Sequence, residues 1–265
     1  MGVIRFKDEM GEIRVGRLNG PDTAEECLEK SMGMFEATGR VHRVRTVLAP
    51  VEPRAIFCIG LNYRAHALET GAPIPEYPVV FMKNPASVIG PGQSIVLPQS
   101  CRDPLQVDFE VELAVVIGKA AKNVTEEKAL SHVKGYMVAN DVSARIWQKN
   151  GGGGQWVRGK SFDTFCPLGP ELISAHDIAD PNGLELSLRL NGELMQKSNT
   201  SDMIFPVKKL IAFLSEDTTL LPDTVILTGT PSGVGYARSP RVFLKPGDRL
   251  ELSIEHIGIL ENSVI

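Results

Sequence analysis

The sequence predicts a strand-rich α+β protein in which a small subdomain, residues 1–52, precedes one main domain, residues 53–265. With 265 residues, 43% hydrophobic and 23% charged, the chain is long enough to bury one substantial core. Short apolar or alternating runs outnumber helical patterns, which favours strands over helices. The chain contains no internal repeat, so a solenoid or propeller is not expected.

The N-terminal subdomain carries two kinds of pattern. Residues 3–6 and 12–18 alternate between apolar and polar side chains, as the two strands of a β-hairpin do. Residues 23–35 are expected to form a short helix. The run 49–53 contains two prolines and predicts the linker to the main domain.

The main domain begins with a strand and a short helix. Residues 55–60 form an apolar run of the length expected for a buried strand. Asn62 is expected to cap the N-terminus of the helix that follows, and Gly71 to end it. This helix would carry His66 and Glu69 on one turn.

Further along, one hairpin and two helices are predicted. Residues 184–190 alternate and lead into Asn191-Gly192, a pair typical of the type I′ turn of a hairpin. Helical patterns are limited to 126–133 and 205–213.

An acidic strand carries the strongest chemical signal. In an extended segment Asp108, Glu110 and Glu112 lie on one face, where repulsion reaches the order of a few kcal/mol per close pair unless a cation lies between them. A divalent metal would supply that charge; the alternative is the solvated outer face of an edge strand. The run 113–117 is apolar on both faces and favours the metal, because it directs the strand into the protein.

Asp141 is the expected partner of the acidic strand. It follows the apolar run 136–139, at the end of a predicted strand where a side chain can project into a cleft. Two glutamates and an aspartate form an all-oxygen set, which suits Mg²⁺ or Mn²⁺ better than zinc. The β-period alone leaves open which two acids of the strand bind, so Asp108 stays a candidate ligand at this point.

His66 and Glu69 form a second constellation. Residues three apart lie on one face of a helix, so Glu69 can orient His66 as a general base with a supporting carboxylate. The alternative is a solvated surface pair.

Lys160 lies between a glycine-rich and an aromatic segment. Near a bound anion it would add positive charge that stabilises an enolate, whereas the alternative is a surface lysine on a mobile loop. The glycines at 151–154 suggest either the hinge of a lid or a disordered crossing.

The glycine-rich loop 228–235 follows a predicted strand at 225–227. Its backbone N–H groups are candidates to bind an anion, and a tight structural turn is the alternative. The spacing and lysine of a P-loop are missing, which argues against nucleotide binding as a function class.

Together these segments resemble the fumarylacetoacetate hydrolase superfamily from about Arg54 to the C-terminus. The motifs that carry the resemblance occur in the order of the family, and they are Gly60-Leu61-Asn62-Tyr63 with His66 and Glu69, Asp108-Phe109-Glu110-Val111-Glu112-Leu113, Asn140-Asp141-Val142-Ser143-Ala144-Arg145, Gly159-Lys160-Ser161-Phe162-Asp163-Thr164, and Thr228-Gly229-Thr230-Pro231.

The resemblance implies a set of site residues. The implied ligands of Mg²⁺ or Mn²⁺ are Glu110, Glu112 and Asp141, which leaves Asp108 a supporting role. The implied catalytic residues are His66, Glu69 and Lys160, of which Lys160 faces the substrate. The implied pocket residues are Arg145, Gln148 and Thr230. The implied fold is a mixed β-sandwich roll, usually assembled as a homodimer.

Within the superfamily, segments 141–148 and 156–170 are most similar to the eukaryotic branch associated with oxaloacetate tautomerisation. Relatives usually carry Asp where this chain has Ile146, so we expect a polar support for Arg145 or the lid to be missing. That departure leaves the substrate open and suggests a wider or drier pocket.

The expected function is that of a metal-dependent enzyme on oxaloacetate-like 2-oxo acids, acting through a metal-bound enolate by tautomerisation or decarboxylation. The first alternative is hydrolysis of a C–C bond in acylpyruvates or other 1,3-diketo acids, which also needs water activated by His66. A second alternative is a non-catalytic protein stabilised by a metal, for which His66, Glu69 and Lys160 would not be needed.

Charge and cysteine usage narrow the partners and the compartment. A net charge of -4 with scattered basic residues makes nucleic acid or an anionic membrane an unexpected partner, and a small 2-oxo or diketo acid the expected one. No secretory signal, lipid anchor or apolar membrane span is visible, so an intracellular protein of the cytoplasm or mitochondrial matrix is expected. The four cysteines share no spacing typical of zinc or disulfides, which predicts free thiols.

Overall fold

The computed structural model describes residues 2–151 and 153–265 of the chain. The predicted hinge at 151–154 includes Gly152, which lies outside the described residues. The N-terminal part is built from strands, and these are β1 (Ile4–Lys7), β2 (Ile13–Leu18), β3 (Thr23–Ser31), β4 (Met34–Arg43) and β5 (Thr46–Leu48).

Within the described ranges these five strands form one antiparallel sheet in the order β4-β3-β2-β1-β5. The predicted hairpin of β1 and β2 is confirmed. The predicted helix at 23–35 is wrong, since this segment supplies β3, a turn at Gly33 and the start of β4. Pairing of β3 with strands on both sides outweighs the local helical pattern, because it satisfies its backbone groups and buries Ala24 and Cys27.

The remainder is also dominated by strands. They are β6 (Ala55–Gly60), β7 (Val79–Lys83), β8 (Val88–Ile89), β9 (Val107–Asp108), β10 (Val111–Ile117), β11 (Val133–Asn140), β12 (Ser143–Ala144), β13 (Cys166–Ser174), β14 (Glu185–Leu190), β15 (Glu193–Asn199), β16 (Thr224–Leu227), β17 (Arg249–Ile254) and β18 (Gly258–Ser263). The strand-rich α+β class is therefore confirmed.

The α-helices are short. They are α1 (Arg64–Thr70), α2 (Glu126–Ala129), α3 (Arg145–Lys149), α4 (Trp156–Lys160) and α5 (Val207–Ser215). Short 3₁₀ turns occupy Pro85–Ser87, Gln99–Cys101, Leu130–His132, Ala175–Asp177, Thr200–Asp202 and Gly235–Ala237. The predicted helices at 126–133 and 205–213 correspond to α2 with its 3₁₀ extension and to α5.

The predicted capping of α1 is only half right. Gly71 ends the helix in a left-handed conformation with φ of 63°, as expected. Asn62 does not cap it, because its side-chain amide donates to the carbonyls of Phe205 and Thr228. The side chain of Asp202 instead accepts the N–H of Ala65 at 3.0 Å. A distant loop therefore takes the capping role.

A mixed sheet of seven strands among the described residues forms the centre of the main domain, in the order β7-β6-β16-β10-β11-β13-β8. Strand β10 is central and buried on both faces. Its Leu113 and Val115 pack toward the core shared with β14, β17 and α5, while Ala114 and Val116 pack toward the core shared with the N-terminal sheet. The prediction that this apolar run enters the protein is confirmed.

A separate sheet covers one side of the central sheet. In the described part of the chain it has four strands in the order β15-β14-β17-β18. The turn between β14 and β15 is formed by Asn191 and Gly192 with φ of 53° and 83°, so the predicted hairpin is confirmed.

Two further predictions concern the cysteines and the membrane-spanning segments. The cysteines are buried free thiols, at Cys27, Cys58, Cys101 and Cys166. None of the helices formed by the described residues is both long and apolar enough to cross a membrane. The division at 52/53 stays a prediction; the expected linker packs against the protein, with Ala49 and Val51 buried.

Candidate metal centre and active site

A break in the acidic strand separates its carboxylates. Strand β9 ends at Asp108 and β10 begins at Val111, so Phe109 and Glu110 lie between two different sheets. The expectation of one continuous strand with all three acids on a common face is therefore wrong for Asp108. Glu110 and Glu112 do share a side, as their spacing predicts.

Asp141 joins the two glutamates at the end of β11. Val111 pairs with Asn140 across the sheet, and the N–H of Asp141 donates to the carbonyl of Glu110 at 2.9 Å. One carboxylate oxygen from each of Glu110, Glu112 and Asp141 lies within 4.8 Å of the other two, and all three side chains are buried. Sheet pairing thus brings together the three carboxylates that the family resemblance implied.

Three buried cations surround this carboxylate cluster. Lys160 donates to Glu110 Oε2 and to Asp141 Oδ2, each at 2.6 Å. Arg145 donates from Nη2 to Glu110 Oε1 at 2.6 Å. Lys83 donates to Asp141 Oδ1 at 2.6 Å. Charge-assisted contacts of this length hold the carboxylates in fixed orientations.

The environment shifts the pKa values of the two glutamates in opposite directions. Burial opposes ionisation of Glu110, but the charges of Lys160 and Arg145 lower its pKa from 4.5 to about 2. Burial, followed by the charges of Asp141 and Glu110, raises the pKa of Glu112 well above 4.5. Burial also opposes the charge on Lys160, yet Asp141 and Glu110 raise its pKa above 10.5. Glu112 is therefore the carboxyl group that needs additional positive charge to ionise.

The donor set suits a hard divalent cation. All three donors are carboxylate oxygens, which Mg²⁺ and Mn²⁺ prefer. Each carboxylate has about four lone-pair positions, so the hydrogen bonds from the lysines leave acceptor positions open. A divalent cation would also provide the positive charge that favours ionisation of Glu112.

Asp108 has a different role from the other acids of its segment. Its Oδ2 accepts from Arg145 Nε at 2.8 Å, and its carboxylate accepts the backbone N–H groups of Gly235 at 2.8 Å and Tyr236 at 2.9 Å. It thus supports Arg145 instead of joining the carboxylate cluster, in agreement with what the family resemblance implied.

The glycine-rich loop does bind anions through its backbone, and those anions are carboxylates of the chain itself. The N–H of Gly229 donates to Glu112 Oε2 at 2.7 Å, and the N–H of Gly233 donates to Glu69 Oε1 at 2.8 Å. The loop therefore connects the carboxylate cluster with the His66–Glu69 pair.

His66 and Glu69 form the predicted side-chain pair. His66 Nδ1 lies 3.0 Å from Glu69 Oε2 on α1. Because Glu69 Oε1 is held by Gly233, the pair has a fixed orientation that a solvated surface couple lacks. Among the described residues, no hydrogen bond engages the second ring nitrogen of His66, Nε2.

One cavity of about 350 Å³ brings together the predicted site residues except Glu69, which contacts His66 from outside the lining. Its lining includes His66, the carboxylate cluster, Lys160, and the three predicted pocket residues Arg145, Gln148 and Thr230. Gln148 accepts from Arg145 Nη1 at 2.9 Å, and the hydroxyl of Thr230 donates to the carbonyl of Val111 at 3.0 Å. Phe81 and Trp156 contribute an apolar wall.

The sequence suggested that Ile146 leaves Arg145 without a polar support, but Arg145 is supported. Asp108, Glu110 and Gln148 together engage Nε, Nη1 and Nη2 of Arg145. Ile146 is exposed and lies outside the lining of the cavity, so it neither widens nor dries it.

Sequence analysis missed Lys83. It lies in β7, its side chain is completely buried, and it contacts Asp141 directly. The sequence did contain a signal for it. Lys83 lies two residues after Phe81 in a short apolar strand, so both side chains are on the same buried face. A lysine on a buried face needs a buried anion as its partner.

Residues 55–265 match the family described as fumarylacetoacetate (FAA) hydrolase C-terminal. This chain belongs to the fumarylacetoacetate hydrolase family. The match covers β6 onward and includes every residue of the carboxylate cluster and the cavity discussed above.

Relatives in the same family support the assignment to the branch of the oxaloacetate tautomerases. The chain is 48% identical to the protein named oxaloacetate tautomerase FAHD2A, mitochondrial, of Homo sapiens over 221 residues, which cover 83% of this chain and 69% of the human protein. It is 49% identical to the protein named oxaloacetate tautomerase fahd2, mitochondrial, of Xenopus laevis over 258 residues, covering 97% and 76% of the two chains.

The fold assignment has independent support from a solved structure. The crystal structure of 2-hydroxyhepta-2,4-diene-1,7-dioate isomerase from Mycobacterium marinum superposes with a TM-score of 0.84 at 36% identity, covering 100% of this chain and 98% of the other. The mixed β-sandwich roll implied by the family resemblance is thereby confirmed.

Proposed function

We propose that this protein is a Mg²⁺- or Mn²⁺-dependent enzyme that interconverts the enol and keto forms of oxaloacetate. The observation that carries this proposal is the buried cluster of Glu110, Glu112 and Asp141, which lines one cavity with His66 and Lys160. The relatives named oxaloacetate tautomerase support the choice of substrate. Decarboxylation of the same 2-oxo acid is the companion reaction, since both reactions develop negative charge on the keto oxygen.

The chain's own residues provide charge and orientation. A divalent cation bound at the three carboxylates would supply Lewis-acid stabilisation of charge on a substrate oxygen. Lys160 stays protonated because Asp141 and Glu110 raise its pKa, so it stabilises negative charge and does not act as a base. Arg145 fixes Glu110 and, with Asp108, resists movement when substrate enters.

Proton transfer is assigned to His66. Glu69 occupies Nδ1, so Nε2 is the atom that exchanges a proton with the carbon next to the keto group. Phe81 and Trp156 line the same cavity and limit the access of water to the carbanionic carbon.

The decisive experiment supplies enol-oxaloacetate with Mg²⁺ or Mn²⁺ and follows loss of the enol, carbon dioxide and pyruvate separately. We expect accelerated loss of the enol that disappears in Glu110→Ala and Asp141→Ala together with metal binding. A metal-free variant that retains this activity would contradict the proposal. Release of carbon dioxide without acceleration of the enol reaction would make decarboxylation the main function.

A second candidate function, hydrolysis of acylpyruvates, is favoured by the anchored His66–Glu69 pair, which is suited to activate water. Under this candidate, His66→Ala retains metal binding and loses hydrolysis by about 10²–10⁴-fold, the usual range for a general base. Hydrolysis that is unchanged in this variant would return His66 to a structural role.

We further propose a homodimer, as the family resemblance implied, and a location in the mitochondrial matrix. The relatives named mitochondrial support that location. Light scattering of the purified protein and imaging of a tagged full chain test the two proposals separately.

A further inference from the structure

We propose that Lys149 binds the distal carboxylate of a dicarboxylic 2-oxo acid and thereby gives this site its preference for dicarboxylates. The inference rests on the proposed function, because it assigns a substrate class to the same cavity. Lys149 is the last residue of α3, and it lines the cavity together with Glu110, Asp141 and His66.

In the described part of the chain, Lys149 differs from the other cations of the cavity in having no carboxylate partner. Lys160 and Arg145 contact Glu110 at 2.6 Å, and each also contacts a second carboxylate. Among the residues that the structure describes, no acid forms an ion pair with Lys149, whose side chain is exposed at the cavity. Its charge is therefore available to a ligand.

Lys149 also contacts an aromatic ring, that of Tyr236, which Arg241 contacts as well at 4.1 Å. The Lys149 ammonium lies 4.5 Å from the centre of the Tyr236 ring, a cation–π contact. The backbone N–H of Tyr236 donates to Asp108 at 2.9 Å, and Asp108 in turn holds Arg145. The position of Lys149 is thus linked through Tyr236 and Asp108 to the frame of the metal cluster.

The balance of charge favours a ligand with two carboxylates. The three buried cations match three of the buried carboxylates in charge, and the ion pairs are Lys83 with Asp141, Lys160 with Glu110, and Arg145 with Asp108. A divalent cation together with ionised Glu112 leaves one positive charge, which one carboxylate of the substrate matches. A second carboxylate is matched only when Lys149 is counted.

The test compares L-malate with L-lactate, which share a 2-hydroxy acid end and differ in the distal carboxylate. Dissociation constants are measured by calorimetry on the Mn²⁺-loaded protein. We expect the wild type to bind malate about two- to fivefold more tightly than lactate, the effect of one exposed ion pair. Lys149→Gln should bring this ratio close to one, and Lys149→Arg should retain it.

A matched control separates a local effect from a change of net charge. Lys122→Gln removes an exposed lysine outside the cavity and should keep the wild-type ratio. A wild-type ratio in Lys149→Gln, or no preference in the wild type, would overturn the inference. Preference for malate that depends on Lys149, in a protein that does not accelerate the enol reaction, would uphold the inference and overturn the proposed function alone.

Discussion

Lys83 and Asp141 form a completely buried ion pair in which Nζ lies 2.6 Å from Oδ1. Lys160 holds the other oxygen of the same carboxylate at 2.6 Å. Asp141 is therefore fixed between two lysines, one from β7 and one from α4. This arrangement directs its carboxylate toward Glu110 and Glu112, and it makes the candidate metal centre dependent on a strand that contributes no ligand.

Removing Lys83 should cost stability. In Lys83→Met the buried Asp141 loses one of its two cationic partners, and breaking a buried pair by deleting one partner destabilises a protein by about 3–5 kcal/mol. Urea unfolding of the metal-free protein measures this difference. Lys122→Met, at an exposed position, is the control and should change stability by less than about 0.5 kcal/mol. A Lys83→Met protein as stable as this control would show that the pair is not required for folding.

The two glutamates of the cluster should respond differently to substitution. Glu110 contacts both Arg145 and Lys160, whereas Glu112 accepts the N–H of Gly229 and forms no ion pair among the described residues. Glu112→Gln should therefore keep the stability of the metal-free protein within about 1 kcal/mol and weaken Mn²⁺ binding by more than the about 10–100-fold that loss of a group supporting a metal ligand costs. Glu110→Gln should weaken Mn²⁺ binding and should also lower the free energy of unfolding of the metal-free protein by about 3 kcal/mol or more. Calorimetric Mn²⁺ titration and urea unfolding check both expectations. Equal stability losses in the two variants would contradict this division of roles.

Gly233 should be a sensitive position of the loop that connects the cluster and the His66–Glu69 pair. Its φ is +101°, and a Cβ there would lie 2.2 Å from the carbonyl oxygen of Met195. Gly233→Ala should therefore lose more stability than Gly247→Ala, where φ is +93° and nothing lies within 4 Å of the added Cβ. Gly247→Ala is the control, and it should lose only the stability that backbone strain costs, about 1–2 kcal/mol. Thermal unfolding of both variants is the measurement, and equal losses would mean that the loop shifts without cost.

Asp8 should make the N-terminal sheet sensitive to acid. The hydrogen bond from Arg14, at 2.6 Å, lowers the pKa of Asp8 below 3.8. Because the folded state binds the proton less readily than the unfolded state, this contribution to stability is present above about pH 4 and is lost as the pH falls through the folded pKa. Wild type should exceed Asp8→Asn in stability at pH 7, and the difference should shrink in acid. Asp22→Asn, which removes a half-exposed partner of Arg43, should change stability little at any pH. A difference that does not depend on pH would contradict this explanation.

Local sequence patterns were sufficient to predict an element where burial and local geometry favour the same structure. The run 113–117 is apolar at every position, and β10 is buried on both faces of the central sheet. The pair Asn191-Gly192 requires positive φ at both positions, which selects the turn of a hairpin whatever surrounds it. The spacing of His66 and Glu69 likewise places them on one turn of α1.

Prediction failed where a distant part of the chain supplies the deciding partner. Residues 23–35 become strands because β2 pairs with β3, and no local pattern contains that pairing. Asn62 binds backbone groups of residues more than 140 positions away, so its suitability as a cap is not used. The acidic strand is broken at 109–110, where Asp108 turns toward Arg145 and the loop at Gly235.

The sequence by itself determined the fold class and the acidic motif, because these depend on residue type and short-range spacing. Spacing left Asp108 open as a ligand, and only the family resemblance pointed to Glu110, Glu112 and Asp141 as the carboxylates that lie together. Tertiary structure alone decided the charges around them. Lys83 reaches Asp141 and Gly233 anchors Glu69, and each of these contacts joins segments that are far apart in the chain. Electrostatic interactions depend on distance in space and on burial, and neither quantity can be obtained from sequence spacing.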